Sequence, residues 1–177
     1  MKSLTLLRHA KSAWDDPVAR DFDRPLNGKG RRAAARMGRY LKEEGLAFDC
    51  VIASPALRVQ QTIAGVEDGY GRSLEPQFDK RIYMASATTL LDLAQGIDDA
   101  CERALLIGHN PGLEDLVLAL AASSPSRDEV EEKYPTATLA ELTFDVSRWA
   151  DVAEGQGTLA RFTRPRDLDP ALGPDDL

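Results

Sequence analysis

At 177 residues, with 43% hydrophobic and 29% charged side chains, the chain can fill one core and is not a disordered polymer. Its net charge of −7 excludes a general affinity for nucleic acid or for an anionic membrane. The apolar run at the N-terminus is too short for a signal peptide, and no other stretch is long enough to span a bilayer. Two cysteines, Cys50 and Cys101, do not make a disulfide framework in a domain of this size, and both are expected as core or half-buried thiols. A cytoplasmic location is the expectation. The charge is unevenly spread: residues 1–42 hold eleven Lys/Arg and four Asp/Glu, whereas residues 43–177 hold eleven and twenty-five. The basic N-terminal segment is suited to attracting an anionic substrate.

Ser3–Leu7 is a short apolar run that reads as the first strand and ends on Arg8 and His9. A polar loop follows from Ala10 to Pro25. From Asn27 the pattern turns helical, with Ala34, Met37 and Leu41 on one face and Gly45 as a stop. Asp49–Ala53 reads as a second strand. Ser54 and Pro55 supply a cap and a first-turn proline for a helix through Glu67. Leu74–Phe78 is a candidate third strand and Thr88–Ile97 a helix. Arg103–Gly108 is a further buried strand, followed at once by His109, Asn110, Pro111 and Gly112. Leu113–Ala121 is apolar and helical, and residues 123–135 read as a polar, acidic loop. Strands near Thr138–Phe144 and Thr158–Thr163 complete the sheet. The expected class is α/β, a three-layer sandwich with a mostly parallel sheet covered on both faces. Residues 1–168 read as one domain and 169–177 as a flexible C-terminal tail.

The chain has two histidines, and each directly follows a predicted buried strand. In open α/β sheets the ligand crevice lies beyond the carboxyl ends of the strands, so His9 and His109 meet there if their strands are neighbours. Arg8 precedes His9 and offers a planar fork for phosphate oxygens. Arg58, on the first turn of its helix, can return to the same edge. Ser54 and Asn110 mark two helix starts whose N–H groups favour an anion. This set points to phosphoryl transfer.

Leu7-Arg8-His9-Ala10-Lys11-Ser12 resembles the Arg-His-Gly signature of the histidine phosphatase superfamily, the phosphoglycerate-mutase-like fold. Ser54–Thr62 resembles its second block, and Gly108-His109-Asn110-Pro111-Gly112 its third. The phrase Asp21–Asn27 and the segment Phe162–Leu168 are similar to the SixA-like branch, the phosphohistidine phosphatases. The resemblance implies His9 as nucleophile, Arg8 and Arg58 as phosphate clamps, and His109 in contact with the transferring group. Lys11 and Asn110 are added as substrate-binding candidates. Ala10 departs from the usual Gly, and its backbone N–H is expected to remain available.

Neutral imidazole of His9 can attack phosphorus, and water then hydrolyses the phosphohistidine. No cofactor is expected, and two histidines without clustered carboxylates or cysteines give no metal site. Alkyl phosphomonoesters call for a general acid. The segment 78–86 offers only Asp79, beside Lys80 and Arg81, which would keep it ionised. Imidazole leaves readily, its unperturbed pKa being about 6.5. The expected substrate is therefore a phosphohistidine on a partner protein. The alternatives are a broad small-molecule or aryl phosphomonoesterase, or a non-catalytic phosphate-binding module. Lys11, Arg20, Arg24 and Arg31 are candidate docking residues for the partner.

Overall fold

The computed structural model describes residues 1–15, 17 and 20–174. Six strands form one sheet: β1 (Lys2–Arg8), β2 (Cys50–Ala53), β3 (Gln77–Phe78), β4 (Arg103–Gly108), β5 (Leu139–Phe144) and β6 (Thr158–Thr163), in the order β3-β2-β4-β1-β5-β6. The β3-β2-β4-β1 portion is parallel, and β5 runs antiparallel to both β1 and β6. The helices are α1 (Gly28–Glu43), α2 (Leu57–Tyr70), α3 (Ala87–Gln95), α4 (Gly112–Leu120), α5 (Pro125–Glu132) and α6 (Pro165–Leu168).

Alternation along the central strands splits the core in two. Leu7, Leu105 and Ile107 pack with Met37, Leu41, Val59 and Ile63 of α1 and α2, while Leu4, Leu6 and Leu106 pack with Leu90, Leu113 and Leu116 of α3 and α4. The α/β sandwich with helices on both faces is thus realised. Asn27 caps α1, its side chain accepting from Gly30 N at 2.8 Å, and Gly45 (φ 63°) lies just beyond its end. Gly30 is required by close approach, because a Cβ there would fall 2.1 Å from the Lys11 carbonyl oxygen. The loop after β1 is in this way held flat against α1.

Several elements differ from the sequence reading. The third strand is reduced to Gln77–Phe78. The acidic loop 123–135 contains α5, started by Ser124, whose hydroxyl accepts from Arg127 N, and by Pro125. α2 starts at Leu57 rather than at Pro55, and Ser54 does not cap it. Cys50 and Cys101 are not free thiols but form a disulfide between β2 and the approach to β4. That pairing depends on two non-local strands lying side by side, which spacing alone did not reveal. It removes the free-thiol argument for a reducing compartment. Of the segment expected as a tail, residues 170–172 form a 3-10 turn against α1, and Lys29 donates to the Gly173 carbonyl. Residues 175–177 lie outside the described residues. No helix among the described residues is long and apolar enough to cross a membrane.

Candidate active site

The register of β1 on β4 builds the site. Arg8 lies opposite Gly108, so His9 and His109 leave adjacent parallel strands at the same level. His9 N extends the ladder by donating to the Gly108 carbonyl at 3.0 Å. The two imidazole centroids are 5.3 Å apart. Both rings are buried, His9 being 7% and His109 3% exposed.

His9 Nδ1 lies 2.7 Å from the Ala10 carbonyl oxygen. A carbonyl only accepts, so Nδ1 carries the proton and Nε2 presents its lone pair. Arg58, buried on the first turn of α2, directs Nε toward His9 Nε2 at 3.4 Å. Its other two nitrogens are engaged by Asp21: Nη1 donates to the Asp21 carbonyl oxygen at 2.6 Å and Nη2 to Oδ2 at 3.0 Å. The Asp21 carboxylate also accepts from Tyr83 Oη at 2.5 Å and from Arg24 Nη2 at 2.8 Å. Tyr83 in turn stands edge-on to His109, with centroids 5.4 Å apart. Asp21 and Tyr83 were missed as site residues, although Asp21 opens the phrase Asp21–Asn27 that marked the loop.

Arg8 donates from Nη1 to the Tyr134 carbonyl at 3.0 Å, and Asn110 Nδ2 donates to the same oxygen at 3.1 Å. Asn110 Oδ1 accepts from Glu114 N at 3.2 Å, so Asn110 ties the start of α4 to the segment after α5. Ser54, expected to cap a helix, has another part. Its Oγ lies 2.7 Å from His109 Nε2 and accepts from Ala56 N at 3.3 Å. A hydroxyl can donate or accept here, so the contact suits either imidazole tautomer; where the hydroxyl donates to Nε2, the imidazole proton sits on Nδ1. His109 Nδ1 and Arg8 Nε are buried with no hydrogen-bond partner among the described residues. In that tautomer both are donors of the kind an oxyanion satisfies. The Ala10 N–H, expected to be available, instead donates to Thr62 Oγ1 at 2.9 Å.

Burial, with a smaller contribution from His109, Arg58 and Arg8, pushes the His9 imidazole down to about 3. Burial and the arginines likewise lower His109 to about 4, against a smaller opposite pull from Asp21. Both rings are neutral at pH 7, so His109 is not a standing third cation. Arg8 is also lowered by burial, with Glu114 opposing, and a guanidinium stays charged regardless. Desolvation of Asp21 is outweighed by donors from Tyr83, Arg24 and Arg58, which hold its carboxyl below the ordinary range.

The site opens into a cavity of about 600 Å³ that includes Arg8, His9, Arg58, His109, Asn110 and Lys11 in its wall. Arg24 is also on this wall, 3.4 Å from the ring centre of the exposed Trp14. Arg20 and Arg31 are not on it, and Arg20 pairs with Asp23. Neither is Asp79, whose carboxylate is gripped by Arg81 at 2.6 Å and lowered chiefly by that bond. Among the described residues the wall carries one carboxylate, Asp21, and no cluster of His, Cys, Asp or Glu is arranged to hold a metal ion.

The chain is similar to known proteins in both sequence and fold. Residues 4–83 match the model of the histidine phosphatase superfamily (branch 1). An uncharacterized protein of Mycobacterium tuberculosis is 34% identical over 164 residues, an alignment spanning 90% of this chain and 100% of that protein. A structure assigned as the phosphohistidine phosphatase SixA of Nakamurella multipartitia superposes with a TM-score of 0.81 at 28% identity, over 93% of this chain and 96% of that one. One assigned likewise from Agrobacterium tumefaciens gives 0.78 at 28% identity, over 93% and 98%.

Proposed function

The chain belongs to the histidine phosphatase superfamily, in its SixA-like branch, and we propose that it is a metal-independent phosphatase working through a phosphohistidine on His9. The observation that carries this reading is the pairing of His9 and His109 at adjacent strand ends, with Arg8 and Arg58 beside them. His9 Nε2 holds a lone pair and the ring is neutral, as a nucleophile at phosphorus must be. Arg8 Nε and, in its Nδ1–H tautomer, His109 are two buried donors for the phosphoryl oxygens. Arg58 supplies charge beside the attacking nitrogen while Asp21 holds its guanidinium by Nη1 and Nη2. Fixed donors of this kind favour the spread charge of the transition state without reorganising.

Attack by Nε2 breaks the bond from phosphorus to the leaving group, whose electrons depart with it. Water then attacks the phosphorus of phosphohistidine, and the His9 lone pair is restored. The leaving group sets the substrate class. Asp79 is tied to Arg81 and off the cavity wall, and Asp21 is held ionised by its donors. An alkoxide would leave without an acid to protonate it, whereas an imidazole needs far less help. This favours phosphohistidine on a partner protein, with aryl phosphates as surrogate substrates.

The test is brief exposure to ³²P-phosphohistidine protein followed by rapid quench. Wild type should carry alkali-stable, acid-labile label, and His9→Ala should carry none. Equal labelling of the two proteins would overturn the assignment of His9. Turnover of sugar phosphates well above that of phosphohistidine protein would overturn the substrate class.

A further inference from the structure

The cavity holds more positive charge than one phosphoryl group requires. Both β1 and β6 run antiparallel to β5, so the C-terminal end of β6 arrives at the same sheet edge as Arg8. Thr163 lies opposite Leu139, and Leu139 opposite Leu7. Arg164 and Arg166, which follow β6, consequently stand in the wall of the same cavity. Lys133 also lines it, next in sequence to Tyr134, whose carbonyl accepts from Arg8 at 3.0 Å.

Against these cations the described wall sets a single carboxylate, Asp21, already engaged by Arg24 and Arg58. Arg164 forks onto Asp167 at 3.0 Å, and Asp167 is not on the wall. In a chain of net charge −7 this segregation runs against composition. A concave, cation-lined wall focuses an attractive field on anions. The volume, about 600 Å³, is that of a site for a whole small ligand rather than for one phosphoryl group.

We infer that this annex, to which Lys133 and Arg166 contribute, binds a second anionic group carried on the leaving-group side of the substrate. The second group is a phosphate or carboxylate, and the enzyme thereby prefers polyanionic substrates to simple monoesters. The identity of the first group rests on the phosphatase reading, but the existence of the annex does not. Two sources can supply the second charge: a free polyphosphorylated compound, or acidic residues flanking a phosphohistidine.

Calorimetric titration with inorganic phosphate and with tripolyphosphate, in metal-free buffer at 0.1 M salt, tests the annex without turnover. Tripolyphosphate should bind at least tenfold more tightly than phosphate. In Lys133→Gln/Arg166→Gln the ratio should fall below threefold. Arg39→Gln/Lys42→Gln removes two charges from α1 residues that line a separate concavity and should keep the wild-type ratio. Equal affinities in wild type, or a ratio that survives in the Lys133/Arg166 variant, overturns the inference. Loss of phosphorylation at His9 with the ratio intact would instead sink the phosphatase reading alone. Phosphohistidine peptides with Asp/Glu or Asn/Gln flanks separate the sources. A fivefold lower KM for the acidic peptide, lost in Lys133→Gln/Arg166→Gln, assigns the annex to a protein partner. Equal KM values beside an intact tripolyphosphate ratio assign it to a small polyanion.

Discussion

Thr62 fastens the loop after His9 to the helix that carries Arg58: its Oγ1 accepts the Ala10 N–H at 2.9 Å and donates to the Arg58 carbonyl at 2.7 Å. Ala10 in turn accepts the His9 Nδ1 proton at 2.7 Å. One buried hydroxyl thus sets the His9 ring through the peptide that orients it. Thr62→Val keeps the shape and removes both bonds, leaving the Ala10 N–H buried and unpaired. With a net loss of about 1–3 kcal/mol for such a group, kcat on an aryl phosphate should fall roughly tenfold or more with KM within twofold. Thr62→Ser should recover most of it. A purely structural residue would lower the melting temperature in both variants and leave kcat per folded molecule unchanged.

Asp21 does two things that oppose each other. It holds Arg58 and Arg24 in place, and it is the one carboxylate on the described cavity wall. Asp21→Asn removes charge while keeping an acceptor. Phosphate should then bind several-fold more tightly, by inhibition of aryl phosphate turnover. The weaker hold on Arg58 should lower kcat by about tenfold, the size expected for losing a charge-assisted bond. Unchanged phosphate affinity would mean that Asp21 does not act against the anion.

The central part of this site was legible in the sequence because it is local to strand ends. Arg8–His9 and Gly108–His109 each follow an unbroken apolar run, and the strands at Arg103–Gly108 and Thr158–Thr163 have the expected limits. Arg58 was legible from its place at a helix start. What escaped is held by contacts between distant segments. The Ser54 hydroxyl reads as a cap until β2 is seen beside β4, which brings it to His109. Tyr83 is unremarkable until the 3-10 turn Lys80–Ile82 carries it over Asp21, 62 positions away. The α5 helix was hidden by its charge, since only Val130 of its residues is buried and the apolar period is almost absent.

The two buried imidazoles set the pH dependence of stability. An unfolded histidine titrates near 6.5; in the folded protein His9 is lowered to about 3 and His109 to about 4. Above pH 6.5 both rings are neutral in both states, and stability is undiminished. Between pH 6.5 and 4 the unfolded chain binds more protons, so stability falls as pH falls. Each ring contributes up to about 1.4 kcal/mol per pH unit. Urea unfolding at pH 7, 6 and 5 should show this decline, and His9→Gln should lessen its slope by about one proton. Equal slopes in wild type and variant would mean that His9 titrates normally.

The disulfide makes a prediction that separates stability from activity. Cys50 begins β2 and Cys101 precedes β4, so the bridge sits at the amino ends of the strands, opposite the edge that carries His9 and His109. Their Cα atoms are 6.1 Å apart, within the normal span for a bridge. It closes a loop of 51 positions. In the chain-entropy account a loop of that length is worth about 4 kcal/mol, drawn from the unfolded state. Thiol titration of the denatured, unreduced protein should find no free thiol, and reduction should release both. Cys50→Ser/Cys101→Ser should unfold at markedly lower urea, and reductant should have no further effect on it. Because the strands still meet at their carboxyl ends, kcat and KM on an aryl phosphate should stay within twofold at 25 °C. Free thiols in the unreduced chain, with a melting curve indifferent to reductant, would return both cysteines to the core as ordinary side chains.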